Sequence, residues 1–201
     1  MANQVSAILK GEDYQHIFSW QLVLELLMPK KNVRSVKIED PDAGSVDDVT
    51  VQYDEGSSQP NRFYQVKYHV DHRSQYSAEI LIEHEPQHTS LLQKFWQSWQ
   101  ILCTQVSKKG CELYLVSNWA WDSKDKLKSY ISGNDGRLTP EFLSEGKRSD
   151  IGKIRTKWQT HLGASDANFE AFTYSLRFRH GYECWEEVKN RVAERMENLK
   201  L

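Results

Sequence analysis

The sequence predicts an α/β fold in which a mixed central sheet is flanked by helices, and three observations carry that prediction. A helix-period stretch, GEDYQHIFSWQLVLELL, opens the regular part of the chain. Two alternating runs rich in Val, Thr, Tyr and Phe then flank a polar Gly/Ser/Pro/Asn segment in VDDVTVQYDEGSSQPNRFYQVKYHV, the pattern of a β-hairpin. A second helix-period stretch, LLQKFWQSWQILCTQV, is followed by CELYLVSN, which is short and nearly all apolar, as a buried strand reads. With a first strand before the hairpin, the order is helix, three strands, helix, strand.

In chain order, residues 1–10 read as a loose lead-in. Asp13 is placed to cap a helix running to about Met28, with Ile17, Leu22, Leu24, Leu26 and Leu27 as its apolar face, and Pro29 with Lys30, Lys31 and Asn32 stops it. Residues 34–39 alternate as a first strand and end in the acidic loop EDPDAG. After the hairpin, residues 71–89 are polar and read as part loop, part helix. Ser90 begins the second helix, whose face holds Leu91, Leu92, Phe95, Trp99, Leu102 and Val106, and Gly110 closes it. SGNDGR is a turn on composition. Thr139 is placed to cap a short helix, residues 148–162 and 166–172 form two more, residues 173–179 alternate as an edge strand, and residues 184–199 end the chain as an amphipathic helix. One domain accounts for this, with a core over about residues 11–120 and a helical elaboration over about 121–201.

Composition narrows the function classes. The 201 residues are 27% charged and 39% hydrophobic with seven Trp and nine Tyr, a soluble globular composition. A net charge of −2 announces no global basic field, so any nucleic-acid contact would have to be local. Cys103, Cys111 and Cys184 have no metal-like spacing and read as free, buried thiols of a reducing cytosol. With no signal-peptide run and no membrane span, the expected location is the cytoplasm. Walker loops, GxSxG elbows and Cys-His nucleophile arrangements are missing from the sequence.

The hairpin carries the candidate chemistry. Side chains alternate across a strand, so Val49, Val51 and Tyr53 share one face while Asp48, Thr50 and Gln52 share the other. On the second strand Tyr64, Val66 and Tyr68 take one face, and Phe63, Gln65, Lys67 and His69 the opposite one. Asp48 on the neighbouring strand is placed to join Gln65 and Lys67. A carboxylate, an amide carbonyl and an ammonium on rigid strands are what metal-assisted phosphodiester hydrolysis uses. From spacing alone, Gln65 and Lys67 fit equally well as solvent-facing residues of an edge strand.

Asp followed by Gln-x-Lys on the next strand resembles the PD-(D/E)xK nuclease superfamily, in the variant with Gln at the second acidic position. GEDYQHIFSWQLVLELL, VKIEDPDAGSVDDVTV and FYQVKYHV together resemble the nuclease module of CBASS-type anti-phage effectors, which join a double-stranded-DNA endonuclease to a nucleotide-sensing SAVED domain. The likeness is strongest over about the first third of the chain and looser in LLQKFWQSWQIL and CELYLVSNW. It implies a restriction-endonuclease-like core and a Mg²⁺- (or Mn²⁺-) dependent endodeoxyribonuclease acting on double-stranded DNA in antiviral defence. It also implies oligomerisation on activation, and a fused or partner sensor for which this chain would be the N-terminal module. In that reading Asp48, Gln65 and the Val66 carbonyl hold the metal, and Lys67 orients or deprotonates the attacking water. A non-catalytic nuclease-fold module that binds nucleic acid or a partner is the alternative.

Supporting residues follow. Glu39 ends the strand before Asp48 and is placed to add a metal ligand. Asp47 competes with Asp48 but points to the other face. Gln15 falls where the resembled modules carry a GxxYQ pattern, and His69 shares the Gln65/Lys67 face. Lys147, Arg148, Lys153, Arg155 and Lys157 form the densest basic segment, in which Lys153, Arg155 and Lys157 are placed to meet DNA phosphates. His84, Glu85 and His88 spell the letters of a zinc-protease motif, but Pro86 between them rules out the continuous helix that chemistry needs. His69, from the Gln65/Lys67 face, is placed to touch substrate phosphate, and His72 is open to the same two readings, of which a surface histidine is the commoner for both.

Overall fold

β3 (Asn61–Lys67) is the middle strand of a five-stranded sheet ordered β1-β2-β3-β4-β5, and its two edges are paired in opposite senses. On one side it runs antiparallel to β2 (Val49–Tyr53), which runs antiparallel to β1 (Val33–Ile38). On the other it runs parallel to β4 (Cys111–Ser117), which runs parallel to β5 (Leu176–His180). The computed structural model describes residues 2–71, 74–105 and 110–200. The expected α/β architecture, a mixed sheet flanked by helices, is what the chain adopts.

Antiparallel neighbours need only short loops, whereas each parallel step needs a crossover. The first crossover carries α2 (Leu91–Gln105). The second carries α3 (Pro140–Ser144), α4 (Asp150–Leu162) and α5 (Asp166–Ser175). Both step the same way along the sheet, and crossovers of one hand then fall on one face. There Phe63, Leu113, Leu115 and Leu176 pack against Leu92, Phe95 and Trp99 from α2, Trp158 from α4 and Phe172 from α5. The opposite face presents Val49, Val51, Tyr64, Val66 and Val116 to Tyr14, Phe18 and Leu22 of α1 (Ala2–Val23) and Val188 of α6 (Trp185–Leu199). The two strand faces divide as the alternation in the sequence predicts.

Local chemistry sets the helix ends. The Ser90 hydroxyl accepts from Gln93 N–H and the Gln93 side chain accepts from Ser90 N–H, a reciprocal cap that starts α2. Ser149 and Ser165 cap α4 and α5, and Gly163 in the left-handed region closes α4. Residues 132–137 turn as expected, between bridged Ile131 and Leu138.

Several boundaries differ. α1 begins at Ala2, so residues 2–10 are helix rather than a loose lead-in, and Asp13 lies inside the helix rather than at its cap. α1 also ends at Val23 and tightens into a 3₁₀ turn, Leu24–Leu27, which leaves Leu26 and Leu27 exposed. Among the described part of residues 71–89 the chain forms turns and no helix, and residues 84–88 hold a turn with Gln87 at positive φ. Residues 173–175 belong to α5, so the last strand starts at Leu176. Val106 and His72 lie outside the described residues. No helix among the described residues is long and apolar enough to cross a membrane.

One ionic cluster ties β3, β4 and β5 together at their amino ends. Glu112 pairs with Arg62 at 3.3 Å and Arg177 at 2.8 Å, and also accepts from the Tyr114 hydroxyl at 2.8 Å. Its side chain is only 15% exposed, so removing it strands two guanidinium groups in a poorly solvated place. Glu112→Ala is expected to cost about 3–5 kcal/mol in a urea unfolding titration. Lys153→Ala, which breaks an exposed pair with Asp150, should cost less than about 1 kcal/mol.

Candidate functional site

The loop before β2 decides where Asp48 stands. Asp40 caps a 3₁₀ turn, Pro41–Ala43, and Gly44 follows with φ +72°. A Cβ on Gly44 would lie 2.7 Å from the Ser98 hydroxyl, so only glycine allows the loop to touch α2 this closely. Ser98 in turn accepts from Ser45 N–H at 2.8 Å, while Ala43 and Val46 are fully buried in the core against α2. Two further ladder bonds, Glu39 N–H to the Asp48 carbonyl and Asp40 N–H to the Asp47 carbonyl, extend the β1–β2 pairing past the named strands. Asp48 is therefore fixed from two sides.

Val49 faces Tyr64 across β2 and β3, so continuing the register sets Asp48 opposite Gln65. The side chains meet there. Asp48 Oδ2 accepts from Gln65 Nε2 at 2.5 Å and from the Val66 backbone N–H at 2.5 Å. Lys67 follows two residues on, so it shares the face of Gln65, and its charge acts on the Asp48 carboxyl. Burial is the largest influence on that carboxyl and raises its pKa; the Val66 N–H, Lys67 and Gln65 lower it without cancelling the rise, and Asp47 adds to it.

The remaining predicted residues scatter around this pair. Glu39 sits across the ladder from Asp48, exposed, with φ +52°. Asp47 is half-buried next to it. Gln15 is half-buried on α1, the layer covering the sheet face opposite to that of Gln65 and Lys67. Arg155 donates to the carbonyls of Phe142, Leu143 and Glu145, closing the end of α3. Lys157 is ion-paired with Glu79 at 2.5 Å and Lys153 with Asp150 at 3.4 Å.

His69 has a definite environment. Its backbone N–H and carbonyl are both bonded to the Asn118 side chain, each at 2.8 Å. Its ring stacks on Trp119 at 3.6 Å between centroids, and Nε2 lies 3.1 Å from the Tyr76 hydroxyl. Burial, with Lys67 adding to it, lowers its pKa to about 4, so the ring is neutral at pH 7.

Sequence reasoning missed the wall beyond Lys67. Lys67 faces Ser117 on β4, and Ser117 faces His180 on β5, which makes one row across three carboxyl-terminal strand ends. The Tyr76 ring stands 4.5 Å from His180 and 5.8 Å from His69 by centroid. A signal was present: WAW follows β4 and HGY ends β5, and the carboxyl ends of parallel strands are where open α/β sheets bind ligands.

Among the described residues, no group of three or more His, Cys, Asp or Glu side chains converges on a metal-sized site. The donors at Asp48 are of another kind: one carboxylate, one amide, and the Val66 carbonyl, which leaves the strand on the same side as the N–H that Asp48 accepts. Hard oxygens of this sort suit Mg²⁺, which keeps several of its waters. The chain matches no protein-family model and none of the curated proteins.

The Asp48 carboxyl supplies a test. Its pKa is higher folded than unfolded, so its stabilising contribution is complete below the unfolded carboxylate range and is lost as pH rises through the folded value. Asp48→Asn is expected to melt above the parent at pH 7 in calorimetry. The gap should close as the pH is lowered through the range in which the parent carboxyl protonates, which lies above that of a free aspartate.

Proposed function

We propose that the chain is a metal-dependent endonuclease with a restriction-endonuclease-like core. It hydrolyses phosphodiester bonds of double-stranded DNA and is the effector module of a bacterial anti-phage defence system. One observation carries the reading: the Asp48 carboxylate and the Gln65 amide meet at 2.5 Å, with Lys67 on the same face two residues on. The helix, three-strand meander, helix and parallel strand that surround it have the element order this core requires. Double-stranded DNA as substrate and the role in defence rest on the resemblance of residues 11–70.

Mg²⁺ or Mn²⁺ would be held by Asp48, Gln65 through its amide oxygen, and the Val66 carbonyl, with Glu39 as a further oxygen donor across the ladder. When bound, the ion supplies Lewis-acid polarisation of the phosphate and a water more easily deprotonated. As an ammonium, Lys67 would orient the attacking water and offset negative charge building on the phosphorane; it could deprotonate that water only from its neutral amine form. His69, neutral and stacked on Trp119, positions the end of β3 instead of neutralising phosphate. Lys153 and Lys157 reach DNA phosphates only by exchanging their present carboxylate partners, and Arg155 is committed to the end of α3. Self-association and a sensor domain, fused or separate, switch the activity on in the cytoplasm.

A second reading is a nuclease-fold module that binds nucleic acid or a partner without cutting. It is favoured by Gln65, which turns its nitrogen rather than its oxygen to Asp48. A half-turn of the amide reverses that and frees an oxygen for a cation. The two readings separate on supercoiled plasmid with Mg²⁺ or Mn²⁺ and concentrated protein. Nicking should appear, Lys67→Ala should slow it by at least about 100-fold, and Asp48→Asn should abolish it. In parallel, the divalent ion should raise the melting temperature of the parent and leave that of Asp48→Asn unmoved. Intact plasmid with parent and Lys67→Ala alike would overturn the catalytic reading.

A further inference from the structure

Lys67 is the last residue of β3, and regular pairing runs out there on both edges. The ladder with β2 stops at Tyr64 opposite Val49, and the ladder with β4 stops at Lys67 opposite Ser117. Past Tyr64, the β2 edge is held by the Asp48 carboxylate, which accepts from Val66 N–H. Strand ends open more readily than strand centres, because fewer of their backbone groups are bonded. A half-buried lysine on such an end keeps one place only if the chain beyond it is tied down.

Asn118 ties it. Val66 turns its N–H to β2, so residues 65, 67 and 69 turn their backbone groups to β4. The first of these past the end of the ladder is His69. Its N–H donates to Asn118 Oδ1 and its carbonyl accepts from Asn118 Nδ2, each at 2.8 Å. One side-chain amide thus gives the acceptor and the donor that two peptide groups of β4 would have offered. Only Asn and Gln carry a carbonyl acceptor and an NH₂ donor on one planar group. The ladder is prolonged by one step without any more strand.

We propose that Asn118 is the positioning residue for Lys67: by closing the end of β3 it holds Lys67 on the face of Asp48 and Gln65. The proposal rests on the nuclease reading for what Lys67 does, and not for how Lys67 is held. The same corner is braced beside the amide. The Trp119 ring stacks on the His69 ring with centroids 3.6 Å apart, and the Trp119 backbone N–H donates to the Ser117 hydroxyl at 3.2 Å. That stack acts on a side chain, which turns about its own bonds. Asn118 acts on the backbone, which carries Lys67 with it.

Without the amide, the His69 N–H and carbonyl turn to water and the strand end opens back to Lys67. Its ammonium then spreads over many positions. A charge that offsets what develops on a phosphorane works only where it is already in place, since moving it there at the moment of reaction costs part of what it gives. The loss therefore falls on the rate of the bound substrate and not on how tightly the substrate is held.

Amide hydrogen exchange, read residue by residue by NMR, tests the tie without any need for cleavage. Asn118→Ala should speed exchange at Lys67 and His69 at least about tenfold and leave Val188 on α6 as in the parent. Asn118→Asp keeps the acceptor and loses the donor, so it should move the same amides the same way by less, and it serves if Asn118→Ala does not fold. In plasmid nicking, Asn118→Ala should lower kcat about tenfold and leave KM within about twofold. Introduced into Lys67→Ala, it should lower the remaining rate by less than about twofold, because it acts through Lys67; a merely structural role would lower both backgrounds alike. Exchange at Lys67 and His69 unmoved by either substitution, or effects on nicking that add in full, would overturn the proposal. A parent that never nicks sinks the nuclease reading instead, and the exchange rates alone then decide whether Asn118 holds Lys67.

Discussion

The opposite pairing of the two edges of β3 is the constraint on which the rest depends. An antiparallel neighbour brings the start of β2 beside the end of β3, and a parallel neighbour brings the end of β4 there too. Asp48, Gln65, Lys67, Ser117 and His180 come from four strands, yet they reach one end of one sheet face because of that single change of sense. The same constraint makes the crossovers long. Each must carry the chain back the length of the sheet, and the helices that do so cover the Phe63 and Leu113 face while α1 and α6 are left to cover the other.

Electrostatically this end of the sheet is sparing. Asp48 is a carboxylate whose charge burial disfavours, with two donors and one ammonium set against that cost. His69 and His180 are held neutral, at about 4 and about 3, by aromatic and apolar surroundings. Burial also pushes the Tyr76 hydroxyl up to about 12, so it stays protonated between the two rings. On the proposed reading, the charged side chains at this end of the sheet come down to Asp48 and Lys67, with Glu39 exposed at the rim. The neighbouring wall, built by Tyr76, Trp119, Trp121 and His180, is aromatic and carries little net charge.

Much of this was legible in the sequence, and the limits have physical causes. Alternation in 48–53 and 63–69 gave the correct faces, because the pleat of any strand turns successive side chains to opposite faces of the sheet. Ser90 announced α2 because a hydroxyl that accepts from an N–H three residues on is local chemistry. Asp13 misled for the same reason: an acid before an apolar stretch has the form of a cap, and nothing local revealed that the helix starts at Ala2. Arg155 read as surface charge because its carbonyl partners on α3 come close only once α3 and α4 have packed. Trp121 and His180 were least legible. They lie fifty-nine residues apart, each at the end of a parallel strand, and a crossover erases any sequence signature of their meeting.

A neutral residue opposite Asp48 has a consequence for control. Two carboxylates at one site attract a divalent ion strongly before any substrate arrives, but they also repel each other and the phosphate. On the proposed reading Gln65 stands in place of a second acid, and the protein alone would offer the ion one charge, already satisfied by two donors. On the proposed reading, a DNA phosphate completes the charge that the ion requires, so metal and substrate bind cooperatively and the isolated chain holds the ion weakly. Anything that raises the local concentration of DNA at this face then acts on metal occupancy as well. Assembly of several chains along one duplex does so without altering a single contact at Asp48. On that reading, an effector that must stay silent until it is assembled would gain that property from an amide standing where a second carboxylate would otherwise be.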